Sequence, residues 1–297
     1  MAGLKEIKRR LESVKNTKKI TYAMKLVAAA KLRKAQEAVQ RSRDYSTALQ
    51  EMLSNLGNEI DLTEISHPLL AKKEKVTRVG VLVIGGSRGL CGGYNSNLNR
   101  KVDGFFNDRK NTGVSIHATL LSKKPAEYFR RTGKPIEIAY ENLPEDATKW
   151  EIEEVCKLLE EKFVNGQLDE VYMIYTKFKS AMSMSVMSEK ILPVEPGNLK
   201  AAATATDSKK STGLVLFEPS AEEIFNALVP RIMRSRVRQA SLESKASEYG
   251  SRMTAMEAAT KNAGELIKKL QLSYNKIRQG RITAELLDIL GGAGAVQ

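Results

Sequence analysis

Residues 242–277, LESKASEYGSRMTAMEAATKNAGELIKKLQLSYNKI, set Leu242, Ala246, Tyr249, Met253, Met256, Thr260, Ala263, Ile267, Leu270, Tyr274 and Ile277 at steps of four and three. A repeat of 3.5 residues kept for about five heptads is the pattern of a helix whose apolar seam winds around a partner helix. The partner stands at the other end of the chain. From Leu4 to Leu56 there is no Gly and no Pro, the residues that most often break helices. Leu4, Ile7, Leu11 and Val14 open a seam there, which slips in phase and resumes at Ile20, Met24 and Val27, in the manner of a stutter. About fifty helical residues make a rod of roughly 75–80 Å, with Gly57 and Asn58 as its stop signal. The two ends of the chain thus predict one two-helix shaft.

Between the helices the period changes. Val79–Ile84 (VGVLVI) is apolar at almost every position, as expected of a strand covered on both faces in a parallel sheet. A glycine-rich turn follows, Gly85-Gly86-Ser87-Arg88-Gly89-Leu90-Cys91-Gly92-Gly93. Helical stretches at about 95–108, 125–132 and 149–164 alternate with strands at about 115–121, 136–140 and Glu170–Thr176. That alternation implies an α/β layer with crossover connections. Ala181–Ile191 and Leu214–Phe217 read as further strands, joined by the polar loop Lys200–Thr212. Three domains are expected: an N-terminal coiled-coil helix at 1–60, a central Rossmann-like α/β domain at 61–218, and a C-terminal coiled-coil helix at 219–297.

The last helix opens on a capping box, Ser220 with Glu223 three residues on. Pro230 should kink it. Gly250 and Gly264 lie beside its seam, where a missing side chain lets another backbone approach, or by chance. The first helix ends where the α/β domain starts and the last begins where it ends, so the two are antiparallel. The last is longer by fifteen to twenty residues, about 25–30 Å. Its tip, ITAELLDILGGAGAVQ (282–297), carries Ile282, Leu286, Leu287, Ile289 and Leu290 on most sides. A lone helix apolar nearly all round either frays or sits in a socket of another protein; the socket is the favoured reading.

Charge and composition narrow the function. The chain of 297 residues carries a formal net charge of +13. Residues 1–43 hold thirteen Lys/Arg against three acids, and residues 221–290 hold twelve against eight. The excess sits on the terminal helices, which should seek acidic partners or else merely present a solvated basic face. No apolar run approaches the eighteen residues of a membrane span, and MAGLKEIKRRLES lacks a signal peptide's apolar stretch. Cys91 and Cys156 show no spacing for metal or disulfide frameworks and fit a reducing, cytoplasmic setting. The glycine-rich turn stands where phosphates bind in other α/β folds. It contains neither G-x-x-x-x-G-K-[ST] nor a clean G-x-G-x-x-G, and reads instead as a structural turn or a protein contact through Arg88. His67 and His117 are isolated. No catalytic residue, cofactor or metal ligand is expected, and the basic first helix lacks the aromatic interleaving of a single-strand binder.

Three blocks of residues resemble one family closely. They are Ser13–Leu32 (SVKNTKKITYAMKLVAAAKL), Arg88–Asn95 (RGLCGGYN), and a third set running from Arg252-Met253-Thr254-Ala255-Met256 through Ala259–Ala263 and Asn275–Gln279 to Ile282–Leu286. In order and spacing the chain is similar to the gamma subunits of F-type ATP synthases. The resemblance implies a central rotor shaft, coupling ion-driven rotation of a membrane ring to conformational cycling of catalytic subunits, with no nucleotide site of its own. It implies as partners an alternating hexamer of catalytic and non-catalytic nucleotide-binding subunits, an epsilon subunit and the membrane ring subunits. Neither nucleic acid nor a direct membrane span is expected. Partner contacts carried over from the family are Met24, Lys25, Arg88, Arg252, Arg278, Gln279, Thr283 and Glu285, with Ile282, Leu286 and Leu290 in an apolar collar. Ser87 stands where the family commonly has an acid, and Gly280 where Ala is common. The regulatory cysteine pair of chloroplast members does not appear. A peripheral place on the cytoplasmic face of a bacterial plasma membrane follows. The alternative is a stand-alone basic coiled-coil adaptor for nucleic acid or anionic membrane, which would gain nothing from the apolar tip.

Overall fold

A computed structural model of the chain describes residues 3–59, 67–110, 112–194 and 220–294. In chain order its elements are α1 (Leu4–Glu59), β1 (Arg78–Ile84), α2 (Tyr94–Arg109), β2 (Ser115–Leu121), α3 (Lys123–Thr132), β3 (Ile138–Tyr140), α4 (Ile152–Val164), β4 (Glu170–Phe178), β5 (Met184–Leu192) and α5 (Ala221–Gly294). Short 3-10 turns stand at Pro68–Leu70 and Ala147–Lys149. The chain divides into two compact units, one of Met1–Ala30 with Arg252–Gln297 and one of Lys31–Ser251. Both α1 and α5 are cut by that division. The expected strand Leu214–Phe217, the loop Lys200–Thr212 and the last residues of the tip lie outside the described residues.

The unit Lys31–Ser251 is built on a five-stranded sheet of order β3-β2-β1-β4-β5. β1 runs parallel to β2 and β4, and β2 parallel to β3; β5 returns antiparallel beside β4. Every residue of β1 after Arg78 is buried, as a central parallel strand covered on both faces requires. Val79, Val81 and Val83 pack with Leu98, Val102 and Phe105 of α2 and with Ala126 and Phe129 of α3. Leu82 and Ile84, alternating with them, are equally buried. Each such side chain contributes on the order of 1.5–3 kcal/mol through its burial.

Within this unit α1 and α5 run antiparallel. Arg43 donates to Glu243 Oε1 at 3.0 Å, and Ser46 lies 2.9 Å from the Ser235 hydroxyl. The Glu223 N–H donates to Ser220 Oγ at 3.2 Å, as the capping box predicts. α5 continues unbroken past Pro230.

The other unit pairs the first part of α1 with the last part of α5, again antiparallel. Lys25 meets Glu257 at 2.5 Å, and Thr21 meets Thr260 at 2.8 Å. One expectation is corrected here. The seam of α1 does not resume at Ile20 and Val27, which are 60% and 54% exposed; of the three expected positions only Met24 is half-buried, beside half-buried Thr21 and Lys25 and buried Ala28. Ile7, Leu11, Val14, Thr21, Lys25 and Ala28 are buried or half-buried and keep the 3.5-residue spacing, with Lys18 exposed at the position between Val14 and Thr21. This row escaped the apolar pattern because its middle is polar, and that polarity is matched across the pair by Thr260 and Glu257. Gly264 meets only the flexible end of Lys18, 3.6 Å from where a Cβ would stand. Close backbone approach is therefore not its reason. From Lys276 through Leu287 every side chain of α5 is exposed.

Asp169, just before β4, joins the start of the sheet. It is 2% exposed and accepts from the Thr77 N–H at 2.8 Å, the Thr77 hydroxyl at 2.9 Å and the Arg78 N–H at 2.8 Å. Lys73 stands 3.4 Å away. Burial alone would push its pKa up, but the donors of Thr77, Arg78 and Lys73 together hold it well below the ordinary carboxylate range. A folded-state pKa below the unfolded value of about 3.9 stabilises fully above that value and is lost as pH falls through the acid range. Asp169→Asn is expected to cost about 1–3 kcal/mol in urea unfolding at pH 7. The gap between the two proteins should narrow as pH is lowered below 4; a gap constant from pH 7 to 3 would rule out the ionised carboxylate as its source.

Candidate functional site

The glycine-rich turn after β1 is where a nucleotide would have to bind. Local packing explains its first glycine. A Cβ on Gly85 would stand 2.4 Å from Pro125 Cγ and 2.9 Å from Leu98 Cδ2, so α2 and α3 close on the end of β1 only if residue 85 has no side chain. Tyr94, the first residue of α2, is buried, and its hydroxyl donates to the Ser244 carbonyl at 3.1 Å. Burial, helped by the nearby Glu248 carboxylate, pushes the Tyr94 phenol far up. Ser244 Oγ donates to the Ile84 carbonyl at 3.4 Å, and the carboxyl of Glu248 lies 3.4 Å from where a Gly86 Cβ would be. In an open α/β sheet, ligands bind outside the carboxyl ends of the strands, where the strand order reverses. Here that point lies between β1 and β4, and Ser244 of α5 bridges the two strand ends there, filling the crevice.

The rest of the turn is held by its own atoms. Cys91 is buried, its thiol 3.7 Å from the Arg88 carbonyl, and its sulfur accepts from Asn95 Nδ2 at 3.2 Å. This leaves Arg88 exposed, with Leu90 64% exposed at a φ of 60°. The second cysteine, Cys156, is buried, and burial together with Glu160 pushes its thiol up to about 12. It is an inert core residue at neutral pH. His67 accepts from the Leu69 N–H at 3.1 Å and is shifted down by burial, and His117 lies 3.7 Å from Glu137.

The remaining candidates lie in the helical pair. Met24 and Lys25 are half-buried, and Lys25 is matched by Glu257 inside the chain. Arg252 is 9% exposed and offers little surface. Arg278, Gln279, Ile282, Thr283, Glu285 and Leu286 are exposed on successive turns of α5. Thr283 donates to the Gln279 carbonyl at 3.0 Å, and Glu285 accepts from Arg281 at 2.8 Å. Leu290 lies within α5, but its side chain falls outside the described residues. The structure adds a surface not expected from the sequence: Ile20, Tyr22, Leu26 and Val27 of α1 are all more than half exposed. The signal was present as a surplus, since Ile20–Val27 holds more apolar residues than one seam can take.

An α/β unit whose strand-end crevice is filled by its own helix, joined in sequence to an antiparallel helical pair with exposed apolar side chains toward the end of α5, presents the surfaces of an interaction protein. The family model described as ATP synthase matches residues 3–296. The chain is 42% identical to the ATP synthase gamma chain of Heliobacterium modesticaldum and 39% identical to that of Nostoc punctiforme, each over the whole of both chains. It resembles a chain of the central stalk/c-ring structure of the Tetrahymena thermophila mitochondrial ATP synthase, at 25% identity and a TM-score of 0.56 over 81% of this chain and 99% of that one. A chain of the Euglena gracilis mitochondrial ATP synthase shares the fold at 21% identity and a TM-score of 0.59, over 99% and 94%. The chain belongs to the ATP synthase gamma-chain family.

Gly85→Ala tests whether the turn is shaped by packing. It is expected to destabilise the protein by about 1–3 kcal/mol through clash with the rigid Pro125 ring. An unchanged urea midpoint would show free space at the turn and reopen the crevice to a ligand.

Proposed function

We propose that the chain is the central rotor shaft of an F-type ATP synthase, coupling ion-driven rotation of a membrane ring to ATP synthesis or hydrolysis in a surrounding hexamer. Membership of the gamma-chain family supports this, and the alternative of a free-standing adaptor for nucleic acid or anionic membrane finds no support in it. The observation that carries the reading physically is the end of α5. Ile282, Leu286 and Leu287 stand 48%, 55% and 63% exposed, on a stretch where no residue from Lys276 to Leu287 is covered. Such a surface needs a socket.

In this reading the partners are the alternating hexamer of nucleotide-binding subunits, the epsilon subunit and the subunits of the membrane ring. Ile282, Leu286 and Leu290 turn in an apolar collar of the hexamer. Arg278, Gln279, Thr283 and Glu285 meet the catalytic subunits below it, Met24 and Lys25 lie near an acidic loop of a catalytic subunit, and Arg88 makes a protein contact from the glycine-rich turn. Exposed ion pairs contribute only about 0.2–1 kcal/mol each, weak enough for contacts that must be remade at every step of a turn. The segments 1–60, 61–218 and 219–297 serve as the two helices and the foot. The chain contributes no nucleotide site; it shifts nucleotide affinity at distant sites through a mechanical coupling. No helix among the described residues is long and apolar enough to cross a membrane. A peripheral position on the cytoplasmic face of a bacterial plasma membrane is supported by the bacterial relatives and by the missing cysteine pair.

Native mass spectrometry of the tagged chain, gently extracted from source membranes, tests the reading. One copy with three copies each of two nucleotide-binding partners is expected; a lone monomer, or a complex with nucleic acid, would overturn it. A second experiment addresses Lys25. Lys25→Glu is expected to lower protons pumped per ATP at least twofold in assembled complexes. Adding Glu257→Lys rebuilds the ion pair inside the chain and should not restore pumping. Full recovery in the swapped protein would assign Lys25 to its intrachain pair alone.

A further inference from the structure

β4 outruns its neighbour. The β1–β4 ladder ends at Val83 and Ile174, yet β4 continues to Phe178. Backbone groups beyond Ile174 on that edge have no strand to meet, and buried ones must be satisfied some other way. α5 supplies the partners from its side chains. The Thr176 N–H donates to Ser244 Oγ at 3.1 Å, Ser247 Oγ donates to the Thr176 carbonyl at 3.2 Å, and the Phe178 N–H donates to Glu243 Oε2 at 3.4 Å. Ser244 Oγ also donates to the Ile84 carbonyl at the end of β1. Its one hydroxyl therefore stitches both strand ends to the helix. Glu243, Ser244 and Ser247 are each at most 1% exposed.

Apolar packing is non-directional; it resists pulling a helix off a sheet but resists turning the helix about its own axis much less. Hydrogen bonds are directional and fail steeply when bent or stretched. A turn of about 30° carries a hydroxyl lying some 4 Å from the helix axis through about 2 Å, enough to break these bonds together. We propose that Ser244 and Ser247 are positioning residues that key the rotational setting of α5 to the sheet, so that torque applied to the α/β unit enters the helix without slip. This inference rests on the rotor reading.

The test uses the assembled synthase in sealed vesicles, with Ser244→Ala/Ser247→Ala compared against Ser241→Ala. Ser241 is as deeply buried and one turn away, but its hydroxyl donates only to the Val237 carbonyl of its own helix, at 2.9 Å. In the double variant, ATP hydrolysis without a gradient is expected within about twofold of the parent. The largest proton gradient that hydrolysis can sustain should fall at least twofold, while Ser241→Ala holds the parental gradient. A merely structural loss would lower assembly and hydrolysis together without changing their ratio to the gradient. Should the double variant fail to assemble, Ser247→Ala alone, which removes one bond, is expected to lower the sustained gradient by a smaller measurable factor. An assembled variant sustaining the parental gradient overturns the key. A parent chain that supports no ATP-driven pumping in any preparation overturns the rotor reading instead, and the two failures are distinct.

Discussion

Between Ala240 and Gly250, α5 has no solvent face. About three turns of helix are enclosed on all sides, and they carry Ser241, Glu243, Ser244, Lys245, Ser247 and Glu248. Buried polar groups must be paired, so the surroundings of this segment are dictated in detail. Lys245 pairs with Glu248 at 2.9 Å, and Glu243 is met by Arg43 of α1 and by Gln239. The serines close the open edge of β4. Gly250 lets the hairpin between β4 and β5 approach, since a Cβ there would come within 2.6 Å of Met184 and 3.5 Å of Ala181. The filled crevice, the register of α1 and the overhang of β4 all follow from enclosing one polar stretch of helix.

The positive charge of the terminal helices is spent partly within the chain. Lys31 meets Glu145 and Lys34 meets Asp146, from the loop before α4, and Tyr249 of α5 donates to the Glu145 carbonyl at 3.3 Å. The hydrogen bond from Lys31 holds the Glu145 pKa below its ordinary value. One short loop thereby ties both long helices where they pass the α/β unit. These pairs are partly exposed, so they are exchangeable contacts rather than sources of much stability.

The strands of the described sheet and the two long helices were legible in the sequence because both depend on period. Val79–Ile84 could not be other than a covered strand, and β2 falls at Ser115–Leu121 as read. The phase of α1 was not legible in its middle. The half-buried positions Thr21 and Lys25 are polar, while the bulky Ile20 and Val27 face outward. The roles of Ser244 and Ser247 were hidden for a related reason: a serine on a helix usually means solvent, and only the overhang of β4 gives these two a partner. The site residues of the α5 end were named by resemblance. Their periodicity showed that an apolar surface exists there without showing what covers it.

The exposed apolar side chains of Ile20, Tyr22, Leu26 and Val27 have a consequence for the life of the subunit before it meets its partners. Apolar surface of this kind is tolerated only while it is covered, and an uncovered copy is open to aggregation and proteolysis in proportion to its exposure. A copy in which these side chains stay bare is therefore the copy open to removal.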